Sequence, residues 1–119
     1  MSKLWILVCG GREYSDYALV KKTLDSIQQE SGIELIVQGG AKGADALARQ
    51  WAKETGTHCC TFHANWDFHG NMAGPVRNRA MLLIGPDMVV AFPGGRGTQH
   101  MMNAATKEAI VVMDVSKAL

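Results

Sequence analysis

MVVAFPGGRGT, residues 88–98 of the chain, joins a short apolar run to a glycine-rich turn. The run 88–92 contains β-branched residues and ends at a proline and two glycines, which is typical of a buried strand. The turn 93–97 needs backbone angles that glycine adopts most easily. Thr98 is predicted to cap a helix that starts near Gln99. A strand, a glycine turn and a helix N-terminus together favour an anion site, although a tight connection without a ligand has the same pattern.

The rest of the chain alternates strand and helix patterns in the same way. Predicted strands cover residues 4–9, 33–37, 57–62, 88–92 and 109–115. The run 4–9 is apolar on both faces, which suits the middle of a parallel sheet covered by helices on each side. The pattern therefore predicts an α/β fold, a Rossmann-like doubly wound and mainly parallel five-stranded sheet flanked by about four helices.

The helices are predicted from apolar side chains at helical spacing. The first is capped by Ser15 or Asp16 and stops at Gly32, and the second ends near Gly56. The third begins at Gly74-Pro75 and the fourth runs from Gln99 to about Lys107. Their predicted inner faces are Val20, Leu24 and Ile27 in the first, Ala44, Leu47, Ala48 and Trp51 in the second, and Val76, Ala80 and Leu83 in the third.

Composition limits the classes of function. The 119 residues predict a single domain, 1–119, with a formal net charge of +1 and no run long enough to cross a membrane. Without a convincing export signal, a cytoplasmic location is expected. The near-zero charge gives no global electrostatic case for binding nucleic acid or an anionic membrane. Cys9, Cys59 and Cys60 fit no zinc-ligand spacing and are predicted to be buried, reduced thiols, and no metal site is expected.

Periodicity is absent from residues 63–74, which are predicted to form an ordered functional loop. His63, Trp66 and His69 lie in this loop. They are interpreted as an aromatic shelf for a base, as a proton-transfer pair, or as loop packing. Packing or base stacking is favoured over catalysis because no matched carboxylate lies nearby in sequence.

Three diglycines occur at equivalent places, directly after predicted strands, at 10–11, 39–40 and 94–95. The carboxyl ends of parallel strands share one edge of the sheet, so the three turns are predicted to converge there, where ligands bind in open α/β sheets. The chain has neither the G-x-G-x-x-G fingerprint nor the G-x-x-x-x-G-K-[ST] motif. A standard dehydrogenase or P-loop NTPase is therefore disfavoured.

Four motifs in order resemble the YspA-like branch of the SLOG superfamily, which also includes the DNA-processing protein Smf/DprA and LONELY GUY. They are VCGGR at 8–12, GGAKGAD at 39–45, the W…HG…AGPVRNR segment at 66–79, and AFPGGRGT at 91–98. The resemblance extends over almost the whole chain. It implies a Rossmann-like fold and the sensing or processing of a nucleotide-derived ligand, with no established reaction for this branch.

The better-known relatives imply two alternative functions. LONELY GUY enzymes, which are phosphoribohydrolases, share the P-G-G-x-G-T turn and carry a catalytic Glu three residues after its Thr. Met101 stands at that position here, and a thioether cannot transfer a proton. If the chain is nevertheless a nucleotide N-glycosidase, its candidate catalytic residues are Arg77, His69 and His100. Smf/DprA instead resembles the chain at G-x-x-x-G-x-D (39–45) and Arg-Asn-Arg (77–79), which implies single-stranded nucleic-acid binding.

Individual charged residues have competing interpretations. Arg77 is expected to contact a phosphate or carboxylate rather than only solvent. Asp45 is interpreted either as a ligand of a ribose hydroxyl or as a complement to the helix dipole. Arg12 either closes over the ligand or is an ordinary surface arginine. The predicted ligand-binding residues are Gly10, Gly11, Arg12, Gly39, Gly40, Ala41, Gly43, Ala44, Asp45, Trp66, Arg77, Asn78, Pro93, Gly94, Gly95, Arg96, Gly97 and Thr98.

The expected partner is a small phosphate-bearing nucleotide derivative, either ADP-ribose-like or a nucleoside monophosphate. No other cofactor is predicted. Nucleic acid is disfavoured as a partner by the net charge of +1. The chain is compatible with a homo-oligomer, a dimer or larger.

Overall fold

The computed structural model describes residues 3–115 of the chain. Its strands are β1 (Leu4–Cys9), β2 (Ile33–Gln38), β3 (His58–Thr61), β4 (Met88–Ala91) and β5 (Val111–Asp114). Its helices are α1 (Tyr17–Glu30), α2 (Ala44–Thr55), α3 (Trp66–His69), α4 (Ala73–Leu83) and α5 (Arg96–Lys107), with a 3₁₀ turn at Gly70–Met72.

The five strands form one sheet in the order β3-β2-β1-β4-β5, and every neighbouring pair is parallel. The chain builds one half of the sheet outward from β1 to β3. It then crosses back to place β4 on the other side of β1. The predicted Rossmann-like, doubly wound α/β fold is confirmed. The strand order reverses between β1 and β4, which is where ligands bind in open sheets of this class.

The sheet is buried on both faces, as the continuous apolar run of β1 predicts. Ile6, Leu7 and Val8 are each 0% exposed. Ile6 and Val8 pack with residues of α1 and α2, whereas Leu7 packs with residues of α4 and α5. Successive side chains of a strand point to opposite faces, so one short strand supports both halves of the core.

Helices α1 and α2 match their predicted inner faces. Val20, Leu24 and Ile27 are buried in α1, and Asp16 caps its N-terminus by accepting a hydrogen bond from the amide of Leu19 at 3.0 Å. The buried Trp51 of α2 donates its indole N–H to Asp25 of α1 at 2.8 Å. This bond satisfies the polar atom of a large core side chain and ties the two helices together.

The predicted inner face of α4 is wrong. Val76 and Leu83 are 40% and 81% exposed, while Asn78, Met81 and Leu82 are buried. Apolar residues occupy most sides of this helix, so periodicity alone does not fix which side faces the sheet.

The start of α5 is also earlier than predicted. The helix begins at Arg96 with Gly95 at the N-cap, so Thr98 is the third helical residue, is buried, and is not the cap. The glycines of this segment indicated a turn. However, glycine is also accepted as an N-cap residue, and Gly95 takes that position here.

Residues 63–74 contain less irregular structure than predicted. Asn65 caps α3 by accepting from the amide of Phe68 at 3.1 Å, and the 3₁₀ turn then leads into α4. Each of these elements is about one turn long, too short to produce a recognisable hydrophobic period.

The prediction that all three cysteines are buried holds only for Cys9. Cys59 is exposed and Cys60 is half-buried. Both lie on β3, which is an edge strand of the sheet, so one side of this strand has no neighbouring strand to cover it.

Candidate functional site

A cavity of about 560 Å³ opens where the strand order reverses, at the carboxyl ends of β1 and β4. Three parts of the chain form its walls: the end of β1 with the turn after it, the turn that starts α5, and one side of α4. The lining residues are Val8, Cys9, Gly10, Gly11, Arg12, Ala41, Asp45, Trp66, Gly74, Pro75, Arg77, Asn78, Met81, Gly95, Arg96, Gly97, Thr98, His100 and Met101.

The turns after β1 and β4 are bonded to each other, and the loop after β2 is bonded to the first of them. The amide of Gly11 donates to the carbonyl of Pro93 at 2.9 Å, and the amide of Ala44 donates to the carbonyl of Gly11 at 3.1 Å. Gly43 has φ +74°, and a Cβ on it would lie 2.1 Å from the carbonyl oxygen of Gly11. The three predicted glycine turns therefore meet at one edge of the sheet.

The turn before α5 and the first residues of that helix contain one glycine that has no space for a side chain and two that do. A Cβ on Gly94 would lie 2.2 Å from the hydroxyl of Thr98 and 2.6 Å from the amide nitrogen of Gly11. A Cβ on Gly95 or Gly97 would meet no atom within 4 Å. Both of these open glycines line the cavity, so their missing side chains leave the helix N-terminus accessible from it.

The N-terminus of α5 presents unpaired donors. Within residues 3–115, the amides of Arg96, Gly97 and Thr98 have no hydrogen-bond acceptor, and the first intrahelical bond runs from Gln99 to the carbonyl of Gly95 at 3.0 Å. The helix is 12 residues long, so its dipole adds positive potential at these amides.

Asp45 holds the loop that follows β2. One carboxylate oxygen accepts from the amides of Gly39 and Ala41, each at 3.2 Å. Burial raises the pKa of Asp45, whereas these two bonds and the charge of Arg77 oppose that increase. The side chain lies in the first turn of α2, as the dipole interpretation requires, but its direct partners are backbone amides of the loop.

Gln38, which the sequence interpretation did not single out, supports the same loop from behind. It is 0% exposed, and its carbonyl oxygen accepts from the amide of Gly40 at 2.6 Å and from Arg49 at 3.0 Å. Its amide nitrogen donates to the hydroxyl of Thr61. The signal that could have identified Gln38 is its place at the end of the strand, directly after the apolar run 35–37.

Arg77 projects from the first half of α4 and lines the cavity. It donates to the carbonyl of Gly39 at 2.8 Å and to the side-chain oxygen of Asn78 at 3.2 Å. Its pKa is lowered, chiefly by burial and also by the nearby charge of Arg12, while Asp45 opposes the shift. An arginine remains charged at physiological pH, so the cavity wall carries a positive charge.

Arg12 and Trp66 form the rim. The guanidinium of Arg12 lies 5.9 Å from the centre of the Trp66 ring, within the range of a cation–π contact. Trp66 remains 49% exposed, so an aromatic surface is available beside the cavity.

The candidate catalytic residues are placed differently from one another. His100 lines the cavity, and its Nδ1 is 3.1 Å from the side-chain nitrogen of Asn78. His69 lies against Phe68 and does not line the cavity.

Two sulfur-containing side chains also belong to the cavity wall. Met101 is 1% exposed there. Cys9 also lines it, but burial, together with the charges of Asp45 and Asp114, raises its pKa to about 12, which opposes formation of a nucleophilic thiolate.

A second cavity of about 490 Å³ adjoins the first. The two share Arg12, Ala41, Trp66 and Arg77. The remaining lining residues of the second cavity are Glu13, Gly39, Gly40, Lys42, His63 and Ala64.

Most predicted ligand-binding residues therefore line one cavity or both. The four that line neither, Gly43, Ala44, Pro93 and Gly94, lie in the contacts between the turns. Apart from His100 and Met101, which the sequence raised in other roles, the residues of the first cavity that the ligand-binding prediction missed are Val8, Cys9, Gly74, Pro75 and Met81. In the second cavity it missed Glu13, Lys42, His63 and Ala64. Met81 is four residues after Arg77, on the same side of a helix, so helical spacing was a signal for it.

Among the helices in residues 3–115, none combines the length and apolar character needed to span a bilayer. Within the same residues, no group of three or more His, Cys, Asp or Glu side chains is arranged to hold a metal ion.

Comparisons with known proteins show the family to which the chain belongs. The chain is 36% identical over 117 residues to the Gene 61 protein of Mycobacterium phage D29, and the match covers 92% of this chain and 94% of that protein. No solved structure matches the chain significantly. The family model YAcAr, described as the YspA, cpYpsA-related SLOG family, matches residues 5–69, which include β1, α1, β2, α2, β3 and α3. Membership of that family suggests a nucleotide-related ligand in general. On the family match and the phage relative together, the chain belongs to the YspA, cpYpsA-related SLOG family.

Proposed function

We propose that the protein binds a phosphate-bearing nucleotide derivative, ADP-ribose-like or a nucleoside monophosphate, in the cavity between β1 and β4. The observation that carries the proposal is the unpaired amide group at Arg96–Thr98, which lines the same cavity as the guanidinium of Arg77. Amides at a helix N-terminus and an arginine fork are both suited to phosphate oxygens. Within residues 3–115, no carboxylate forms an ion pair with Arg77, so its charge is available to a ligand.

The open glycines support the same interpretation. No atom lies within 4 Å of the place that a Cβ on Gly95 or Gly97 would occupy, so the fold has no steric need for glycine there. A phosphate that approaches the backbone closely does have such a need. The open space at these two glycines therefore supports a close approach of a ligand to the turn.

The remaining walls suit the nucleoside part. The half-buried Pro75 supplies apolar surface, and Trp66 offers an exposed ring at the rim. A cavity of about 560 Å³ is within the range of small-molecule sites, which are mostly apolar with a few polar groups that orient the ligand.

The alternatives have less support. The wall position at which LONELY GUY enzymes carry a catalytic Glu is the thioether of Met101, which cannot transfer a proton. Single-stranded nucleic acid is bound mainly through phosphate contacts by many cationic groups, and the net charge of this chain is only +1.

Paired arginine variants of α4 test the proposal. Arg77 lines the cavity, whereas Arg79 is exposed on the same helix and does not. We expect Arg77→Ala to weaken AMP binding by roughly 10-fold to 100-fold, because a charge-assisted hydrogen bond is worth about 1.5–3 kcal/mol. Arg79→Ala removes the same charge and should leave the affinity within about twofold. Isothermal titration calorimetry measures both, and circular dichroism checks that each variant is folded.

If the two substitutions reduce AMP affinity equally, AMP is attracted by the overall charge of the protein and not bound by Arg77 in the cavity. Absence of AMP and ADP-ribose binding by the wild-type protein would reject the proposed function itself.

A further inference from the structure

The adjoining cavities share a positively charged boundary. Arg12 and Arg77 line both cavities, and they are close enough for the charge of Arg12 to lower the pKa of Arg77. The carboxylate of Asp45 acts on Arg77 more strongly than the charge of Arg12 does and offsets part of the repulsion between the arginines, and an anion bound beside both would reduce it further. Within residues 3–115, neither arginine has a carboxylate partner in an ion pair.

The two cavities differ in chemistry. Pro75, which lines the first cavity and not the second, is half-buried and contributes apolar surface there. Glu13, Lys42 and His63 make the second strongly polar. A nucleoside base suits the first cavity, and a hydroxyl-rich group such as a sugar suits the second, because its hydroxyls both donate and accept hydrogen bonds.

We propose that the ligand is bipartite: a nucleoside in the first cavity is joined through a diphosphate, held by Arg12 and Arg77, to a sugar in the second cavity. This inference rests on the proposed function and selects the nucleoside-diphosphate-sugar class over a nucleoside monophosphate. A monophosphate leaves the second cavity empty and provides one anionic group for two arginines. A diphosphate carries more negative charge and extends further than a monophosphate, toward the residues that the two cavities share.

The backbone around the second cavity is organised as a binding site requires. Gly39 and Gly40 line it, and their positions are held by Asp45, Gln38 and Arg77 through hydrogen bonds of 2.6–3.2 Å. A Cβ on Gly40, whose φ is +75°, would lie 2.7 Å from Nδ1 of His63. This wall is therefore preorganised, which reduces the entropic cost of binding.

The test compares three probes, AMP, ADP and ADP-ribose, by calorimetry at constant ionic strength. We expect ADP-ribose to bind the wild-type protein at least about tenfold more tightly than AMP, with ADP between them, because the second phosphate and the sugar together gain contacts worth about that factor. Ala64→Trp fills the second cavity, since Ala64 lines it and not the first. This variant should reduce the ratio of ADP-ribose to AMP affinity to about threefold or less.

Lys42→Ala provides a second variant whose folding is not at risk, because Lys42 is exposed and lines the second cavity alone. It should lower the same ratio. Arg79→Ala, away from both cavities, should leave the ratio unchanged.

A wild-type protein that binds AMP as tightly as ADP-ribose would overturn the bipartite assignment and leave the proposed function standing. An ADP-ribose preference that survives both Ala64→Trp and Lys42→Ala would also overturn it, because the sugar would then lie elsewhere. Failure of all three probes to bind would reject the inference and the proposed function together.

Discussion

Gly94 and Gly95 are adjacent glycines with different structural roles. Gly94 is packed against Thr98 and Gly11 so closely that a methyl group has no space. Gly95 faces the cavity with no atom within 4 Å of a potential Cβ. The sequence pattern treats the two glycines alike, and only their surroundings distinguish a residue required for folding from one available for a ligand.

We expect Gly95→Ala to leave the protein folded and to impair binding. With open space around the new methyl group, the free energy of unfolding should change by no more than about 0.5 kcal/mol. AMP affinity should fall by roughly tenfold or more, because the methyl group holds the phosphate away from the amides. Thermal unfolding and calorimetry measure the two effects separately.

Gly94→Ala is the matched comparison. Its Cβ would lie 2.2 Å from the Thr98 hydroxyl, so this variant should lose several kcal/mol of stability, or fail to fold, through overpacking. An intact affinity in folded Gly95→Ala would show that the ligand does not approach this turn.

At the scale of an element, the loop between β2 and α2 depends on one carboxylate. Asp45 bonds two loop amides, and the loop in turn places Gly39 against Arg77. The position of the arginine is thus coupled to a residue that was predicted from sequence as a ribose ligand or a dipole complement. The structure adds a third role, the bracing of backbone around the cavity.

Asp45→Ala should destabilise the protein by about 2 kcal/mol or more, because the amides of Gly39 and Ala41 lose their buried acceptor. Asp45→Asn retains an acceptor oxygen and should cost less than about 1 kcal/mol. Urea unfolding of both variants measures this difference. Equal stability of the two variants would contradict the bracing role.

The pH dependence of Asp45→Asn provides a further readout of the same prediction. Burial raises the pKa of Asp45 above its ordinary value of 3.8, so the folded state retains this proton more tightly than the unfolded state. By linkage, the tighter binding of this proton stabilises the folded state. That contribution is complete below pH 3.8 and is lost as the pH rises through the raised folded-state pKa. Wild-type stability relative to Asp45→Asn should therefore fall over that window, and a rise would contradict the assignment.

At the scale of the whole molecule, the doubly wound sheet brings the three glycine turns, α4 and the N-terminus of α5 to one edge. Residues far apart in the chain, such as Gly11, Arg77 and Gly95, thereby share one cavity. The topology of the fold thus creates the cavity. Chemistry at that site depends on which side chains line it.

We predict that incubation of the protein with AMP, CMP or GMP releases no free base above the uncatalysed background. The reason is that Met101 occupies the wall position where the resemblance to LONELY GUY enzymes requires a carboxylate, and it is 1% exposed. Liquid chromatography of the reaction mixtures measures the release. Turnover that disappears in Arg77→Ala would instead establish a glycosidase with a different catalytic group.

Local patterns were sufficient for much of the architecture. The strand at β1 and the buried stripe of α1 from Val20 to Ile27 were predicted and are found at those positions. The three glycine pairs follow the ends of strands, as was also predicted. These features depend on interactions between residues close in sequence, such as helical spacing, capping and turn geometry. With alternating strands and helices, they also predict a parallel sheet, although not the order of its strands.

The remaining features depend on contacts between distant residues. The buried side of α4, the exposure of Cys59 on an edge strand, and the polar contacts of buried Gln38 were not predicted. Each is determined by which element packs against which, and burial depends on those partners rather than on residue type. The same reason applies to the cavities, because the space between Arg12 and Arg77 exists only after β1 and α4 have been brought to the same edge of the sheet.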